Sequence, residues 1–155
     1  MGDFVYNQAK GKAAELAARV LANDPTNSIF TLEAVASTET DANLKDLDDF
    51  AAIESNANTA EVTQSGYARK TFNDASSLTV TIDDTNDRVD LDVADQTWTA
   101  VASGGSAWTD LVFGYDSDST GGTDANVKPI TQHDFAITTD GSDITATIAV
   151  FYRAS

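Results

Sequence analysis

Hydrophobic and polar residues alternate most regularly between Leu78 and Trp98, where the sequence reads LTVTIDDTNDRVDLDVADQTW. Apolar side chains occupy every second position on both sides of a short connection rich in Asp, Asn and Thr. A period of two that is interrupted by turn-forming residues predicts an antiparallel β-hairpin. We expect the face that carries Ile82 and Leu91 to be buried, and the face that carries Asp90 to remain in water.

Helical spacing of apolar residues is found near the N-terminus. It predicts a helix over residues 6–23, with Asn7 as its N-cap and Pro25 as its stop. Thr40 or Asp41 should cap a second helix that runs to about Glu54. A loop with a short helical turn is the alternative for this second segment. One or two helices near the N-terminus are therefore expected.

The remaining strands are predicted from shorter patterns. The segment WTDLVFGY is apolar on both faces and should be a central strand, whereas Pro129 suggests an edge. The dipeptide Asp140-Gly141 predicts a turn between two strands of a closing hairpin. The polar stretch 55–65 reads as a loop, and 98–102 extends the second arm of the first hairpin. Besides that first hairpin, the predicted strands are 28–36, 66–72, 108–115, 127–132, 134–139 and 143–152.

About seven strands with short connections indicate one fold class. The chain should be mainly β (α+β), an antiparallel β-sandwich or open barrel with one or two N-terminal helices. At 155 residues, with no internal repeat and no long linker, a single domain is expected.

Charge is distributed unevenly along this domain. The sequence has 9 basic and 25 acidic residues, a net charge of −16. Lys10, Lys12 and Arg19 balance three acidic residues within 1–24, so the whole excess falls on 25–155. We predict that 1–24 is a helical docking segment and 25–155 an acidic β-domain; an ordinary helix packed on a sheet is the alternative for 1–24. Such an acidic chain should repel nucleic acid and anionic membranes.

Composition excludes several kinds of chemistry. Without cysteine, the chain cannot use disulfides, thiolate catalysis or Cys-based zinc sites. No apolar run reaches the length of a transmembrane helix, and the N-terminus lacks the pattern of a secretory signal. We therefore expect synthesis in a cytoplasm and no membrane partner.

One loop resembles a calcium site in its ligand spacing. Asp116, Asp118, Thr120 and Asp124 lie in DSDSTGGTD, with a glycine where such a loop turns. The acidic residue that should end a calcium loop is replaced by Val127. A solvated acidic loop is therefore the favoured interpretation, with calcium as the alternative. Asp83, Asp84 and Asp87 are interpreted as turn-forming residues in the same way.

Candidate catalytic residues are few. His133 is the only histidine and could pair with Asp134 as a general base, but no nucleophile is recognisable beside it. The aromatic residues fit a hydrophobic core better than a sugar-binding platform. We therefore expect neither enzymatic activity nor a cofactor.

Four segments together resemble a family of small virion structural proteins of tailed bacteriophages. Two are long: DDTNDRVDLDVADQTWTA (83–100) and LVFGYDSDSTGGTDANVKPITQHDFAITTDGSDITA (111–146). FVYNQAKGKAAELAARVLANDPTNS (4–28) is similar to the family's start, an AKG(R/K)-x-x-E helix followed by NDP, and FYRA (151–154) resembles its end. The departure is Ala94, where related proteins are expected to carry Pro; the change loosens the end of a strand.

This resemblance implies a component of a virus particle. The favoured expectation is a capsid decoration (cement) protein, a homotrimer on the outer capsid surface that bridges major capsid subunits. Its contacts would be made either by the N-terminal segment, with Lys10, Lys12 and Arg19 as partner-docking residues, or by the 104–107 loop. The alternative is a minor tail or tail-fibre component that binds a host surface receptor.

Overall fold

The computed structural model describes residues 2–155 and arranges them as eleven β-strands and three α-helices. The described chain is mainly β, with antiparallel sheets, which confirms the predicted fold class. The strands outnumber the predicted seven because short strands also form in polar stretches without clear alternation. In chain order the elements are β1 (Phe4–Val5), α1 (Ala13–Ala22), β2 (Ile29–Ser37), α2 (Asp41–Leu44), α3 (Phe50–Ser55), β3 (Thr59–Glu61), β4 (Lys70–Phe72), β5 (Leu78–Asp83), β6 (Arg88–Val93), β7 (Gln96–Trp98), β8 (Trp108–Asp116), β9 (Lys128–Ile137), β10 (Ile144–Ala146) and β11 (Tyr152–Ala154).

The described strands form three sheets. The largest has six strands in the order β1-β9-β8-β2-β3, with β4 also pairing with β2. Strand β2 pairs with β8, and it also pairs with β4 through its first half and with β3 through its second half. A second sheet has the order β11-β6-β5, and β7 pairs with β10 in a two-stranded sheet. Strand β8 is therefore central, as its apolar pattern predicts.

Aromatic side chains connect the six-stranded and three-stranded sheets. Phe151, just before β11, stacks on Phe113 of β8 with 4.2 Å between ring centroids. The same ring meets Phe30 of β2 edge-on at 5.8 Å. Trp98 of β7 and Trp108 of β8 form another edge-on pair at 5.2 Å. Each such pair contributes about 0.5–1.5 kcal/mol beyond the burial of its area. These aromatic residues are core residues, as the sequence indicates.

The N-terminal segment differs from the predicted helix over 6–23. Residues Phe4–Val5 pair with β9, a 3-10 turn follows, and the α-helix begins only at Ala13. Gly11 has φ of +78°, which an α-helix does not allow, so Asn7 does not cap the helix. Ala13, Ala17 and Val20 on α1 are fully buried in the same hydrophobic cluster as the strands. No helix within residues 2–155 is long and apolar enough to cross a bilayer.

The predicted second helix is divided in two. Thr40 caps α2 as expected, since its side chain accepts a hydrogen bond from the Asn43 N–H at 3.4 Å. Helix α2 ends at Leu44, and Asp49 caps α3 separately by accepting from the Ala52 N–H at 2.7 Å. A continuous helix to Glu54 is therefore wrong. An aspartate that caps a new helix cannot also sit inside the preceding one, because its backbone is extended.

The first hairpin has the predicted strands, and its register places Leu78 opposite Val93 and Ile82 opposite Val89. The expected burial of its apolar face holds at the base but is wrong at the tip. Exposure along β5 rises from 1% at Leu78 to 72% at Ile82, because the tip projects beyond the core.

The expectation that Asp90 stays in water is also wrong. This residue is only 9% exposed because arginine side chains cover it.

The closing hairpin predicted around Asp140-Gly141 does not form. Its first arm belongs to β9, which runs through Lys128–Ile137 beside β8. Its second arm is split between β10, which pairs with β7, and β11, which pairs with β6. Residues 98–102 therefore do not extend the first hairpin, and the loop predicted over 55–65 contains β3. The chain does turn at Gly141, which has φ of +97°. The strands on either side of this turn, however, pair with strands that are distant in the sequence.

Strand β9 as a whole lies between β1 and β8 in the largest sheet. Strand β1 pairs only with Thr131 and Gln132, so Pro129 itself has a strand partner on the β8 side alone, in keeping with the edge position that it suggests. Pro129 faces Gly114 where the register of β8 and β9 shifts, and such an irregularity accommodates a residue that cannot donate a backbone hydrogen bond. The strand predicted over 66–72 shortens to Lys70–Phe72.

Candidate docking surface and charged clusters

Lysine side chains converge around the N-terminal segment. Backbone hydrogen bonds of 3.0 Å connect the Tyr6 N–H to the Ile130 carbonyl and the Asn7 N–H to the Lys45 carbonyl. These bonds bring the turn before α1 next to the start of β9 and the end of α2. We define the lysine face as Lys10, Lys12, Lys45 and Lys128. Sequence analysis missed the last two because they are distant in the chain and adjacent only after folding.

These lysines lack the acidic partners that neutralise the arginines. Lys10 donates to the Asn7 side-chain oxygen at 2.7 Å, and the Lys45 ammonium lies 5.0 Å from the centre of the Phe4 ring. Within residues 2–155, no carboxylate lies within ion-pair distance of any lysine of this face. The face can therefore attract acidic groups of another molecule.

Arg19, the third predicted docking residue, is placed differently. Its guanidinium bonds to Glu15 one turn earlier on α1, with Nη2 2.9 Å and Nε 3.0 Å from the same oxygen. These hydrogen bonds raise the pKa of Arg19. The positive charge of Arg19 is thus balanced within its own helix, so it adds less to the lysine face than Lys10 or Lys12.

The other arginines are also paired with carboxylates. Arg153 bonds to both oxygens of Asp90 at 2.6 and 2.9 Å, and Arg88 lies 3.0 Å from Asp83. Hydrogen bonds from Arg153 lower the pKa of Asp90 against the opposing effect of burial. Lys70 donates to the Thr97 carbonyl at 2.7 Å. Basic residues outside the lysine face are therefore held by partners in their own chain.

A cluster of carboxylates surrounds Arg69. Its Nε is 2.7 Å from Glu61 Oε1, and its two terminal nitrogens also contact Glu54 and Asp124. Glu33 lies behind these groups in the middle of β2 and has no solvent exposure. The carboxylates of Glu33, Glu54 and Glu61 come within 4.8 Å of one another. The guanidinium supplies the cation that this acidic group needs, so we interpret the cluster as structural.

Burial and charge act strongly on Glu33. Removal from water raises its pKa well above that of an ordinary glutamate, an effect that Arg69 opposes and the neighbouring carboxylates reinforce. Neither carboxyl oxygen of Glu33 makes a hydrogen bond with good alignment. Burial therefore favours the protonated form of Glu33 more than water does. Sequence analysis missed this group because its members come from separate segments.

The candidate calcium ligands do not form one site. Asp118 accepts from the N–H and the hydroxyl of Thr120 at 3.1 and 2.6 Å, while Asp116 accepts from the Asp118 N–H at 3.0 Å. Asp124 contacts Arg69 instead. Within residues 2–155, the carboxylates of this loop form no group of three or more whose oxygens all lie within 4.8 Å of one another. The geometry fits a loop held by its own hydrogen bonds.

His133 pairs with a different acid from the expected one. Its Nδ1 lies 3.2 Å from Asp3 Oδ2, and its Nε2 lies 3.1 Å from the Thr131 hydroxyl. Asp3 also accepts from the Asp134 N–H at 2.9 Å. Thr131 is only 1% exposed, so its hydroxyl is not presented to a substrate in solution. We interpret these contacts as a connection between the N-terminus and β9.

Comparisons with models of protein families, with curated proteins and with solved structures find no match to this chain. The sequence motifs and the placement of charge described above are therefore the observations that bear on function. Among the described features, the lysine face best suits contact with another macromolecule, since Lys10, Lys12 and Lys128 are exposed and have no ion-pair partner.

Proposed function

We propose that this chain is a structural protein of a tailed bacteriophage virion and acts as a capsid decoration protein. It would bind the outer shell as a homotrimer and bridge neighbouring major capsid subunits. The proposal is supported by the four resembling segments and by one structural observation. In a chain of net charge −16, four of the five lysines surround the N-terminal segment, and none of these four has an ion-pair partner among residues 2–155. The rest of the acidic surface would repel DNA, which suits a position outside the head.

The lysine face provides the chemistry of docking. Lysines at the rim of an interface attract an acidic surface and orient the encounter, while acidic regions elsewhere disfavour other orientations. Ala13, Ala17 and Val20 also anchor α1, which begins directly after Lys12, in the core. A preformed docking surface loses little conformational freedom on binding. A protein that binds only the assembled shell then stabilises it by mass action.

Substitution tests this docking better than deletion. Removing residues 1–24 would take Tyr6 and the buried face of α1 out of the hydrophobic core. Lys10 and Lys45 are side chains of the lysine face whose replacement by Gln leaves the core intact. Arg19→Gln is the matched control, since it removes one positive charge that Glu15 already balances.

The experiment adds purified protein to particles that lack it and counts bound copies by quantitative mass spectrometry and electron cryo-microscopy. Decoration predicts many copies distributed over the shell and a higher temperature of particle disruption. The variant Lys10→Gln/Lys45→Gln should bind at least tenfold more weakly, and Arg19→Gln should bind like the wild type. A few copies at the tail would overturn decoration in favour of a tail component. Absence of the chain from purified virions would overturn both.

A further inference from the structure

The tip of the first hairpin carries an unusual surface residue. Ile82 is 72% exposed, whereas the only other large hydrophobic side chain found exposed in residues 2–155 is Leu21, at 37%. Asp84 and Asp87 follow it in the turn, both exposed. Neither carboxylate has an ion-pair partner in the described chain, in contrast to Asp83, which binds Arg88. The tip thus presents an isoleucine with two unneutralised carboxylates beside it.

A groove with the opposite character lies between α1 and β9. Its volume is about 260 Å³, and apolar lining is provided by Leu16, Tyr115, Pro129 and Ile130. Lys12 and Lys128 also line it, one from each side. Glu15 is the only carboxylate among the lining residues, and it is bound to Arg19. The groove therefore offers an apolar floor with two unpaired ammonium groups.

We propose that the groove between α1 and β9 receives the hairpin tip of a second copy of this chain. Ile82 of one copy would cover the apolar floor, and Asp84 and Asp87 would face Lys12 and Lys128 of its neighbour. The tip and the groove are complementary in both hydrophobicity and charge. Desolvation of Ile82 favours the contact, and the opposite charges fix its orientation.

This contact joins two different surfaces of the same chain. Such a head-to-tail contact closes into a ring when the rotation between copies divides a full turn. The prediction of a closed ring depends on the homotrimer of the proposed function. The contact between two copies depends only on the properties of the tip and the groove. Lys10 and Lys45 do not line the groove, so they would remain free to face the shell.

Sedimentation velocity of the purified full chain tests the contact without any virus particle. From micromolar to millimolar concentration, the wild type should form a species heavier than the 16.4 kDa monomer, and high salt should weaken it. Ile82→Asp and Lys12→Glu/Lys128→Glu should each weaken association at least tenfold. Leu21→Asp is the matched control and should associate like the wild type. A monomeric wild type, or unchanged association of Ile82→Asp, would overturn the proposal.

Charge exchange distinguishes the contact from damage to the fold. One variant carries Lys12→Glu and Lys128→Glu, and the other carries Asp84→Lys and Asp87→Asn. Asparagine is chosen at position 87 because φ there is +51°, a conformation that asparagine tolerates. Each variant alone should be monomeric, since its tip and groove no longer have opposite charge. A mixture should associate through both the original and the exchanged contact, and its failure to do so would overturn the proposal.

The two proposals can fail separately. A ring that forms in solution but does not bind capsids would overturn the decoration proposal and leave the contact intact. Particle binding by a wild type that stays monomeric at every concentration would overturn the contact and leave decoration intact.

Discussion

Arg69 Nη2 lies 3.1 Å from Oε2 of Glu33, a glutamate that is completely buried in the middle of β2. The guanidinium also contacts Glu54, Glu61 and Asp124, which come from α3, β3 and the turn before β9. One side chain thus holds together acidic groups from separate parts of the fold. Removing Arg69 and removing Glu33 should have different consequences, because Arg69 supplies the cation and Glu33 is a buried acid.

Arg69→Met should destabilise the protein by about 3 kcal/mol at neutral pH, because it leaves one buried and three partly buried acidic groups without their cation. The free energy of unfolding in urea measures the effect. Arg19→Gln is the control, since loss of its solvent-exposed pair with Glu15 should leave the free energy of unfolding almost unchanged. A change below about 1 kcal/mol for Arg69→Met would contradict a structural role for the cluster.

Glu33→Gln should change how stability depends on pH. The pKa of Glu33 is raised in the folded protein, so the folded state holds a proton that the unfolded state releases. The stability due to this proton is complete below the ordinary glutamate pKa and is lost as pH rises through the raised value. Unfolding in urea at a series of pH values should therefore show Glu33→Gln gaining stability relative to the wild type as pH increases.

Glu39→Gln provides a comparison of opposite sign. A hydrogen bond from the Thr40 N–H, together with bonds from Asn58 and Asn43, lowers the pKa of Glu39 to about 2. The stability that the ionised Glu39 gives to the folded protein is present above the ordinary glutamate pKa and is lost as pH falls towards 2. In the Glu33 experiment, the free energy of unfolding could instead vary with pH in the same way for the wild type and for Glu33→Gln. That result would contradict the raised pKa of Glu33.

Leu91→Asp and Ile82→Asp should separate the base of the first hairpin from its tip. Leu91 is fully buried, so a carboxylate there should cost more than about 4 kcal/mol and prevent stable folding. Ile82 is mostly exposed, so its replacement should change the stability of the monomer by no more than about 0.5 kcal/mol. Thermal unfolding at low protein concentration measures both. Equal destabilisation by the two variants would contradict the observed exposure of the tip.

Calcium should have little effect on stability. Asp124 contacts Arg69, and Asp118 is bonded to Thr120, so the acidic loop does not direct its carboxylates to one point. The melting temperature should be the same in EDTA and in millimolar calcium chloride. An increase of several degrees with calcium that disappears in Asp118→Asn would show that the loop rearranges to bind the ion.

Local patterns along the sequence were sufficient for several elements. Alternation on both sides of an Asp-rich turn predicts the hairpin of β5 and β6, because hairpin partners are neighbours in the chain. Apolar residues on both faces predict the central position of β8, and Thr40 predicts the start of α2. These features depend on turn chemistry, capping and hydrophobic period, which act over a few residues.

Tertiary structure alone decided the partners of distant segments. Asp140-Gly141 forms a turn, yet β10 and β11 pair with β7 and β6, because packing of the whole core selects among strands of similar local preference. Packing of the whole chain likewise determines the Arg69 cluster, the exposure of Ile82 and the proximity of Lys12 to Lys128. Burial and charge are properties of surroundings, and for these residues the surroundings come from segments far apart in the chain.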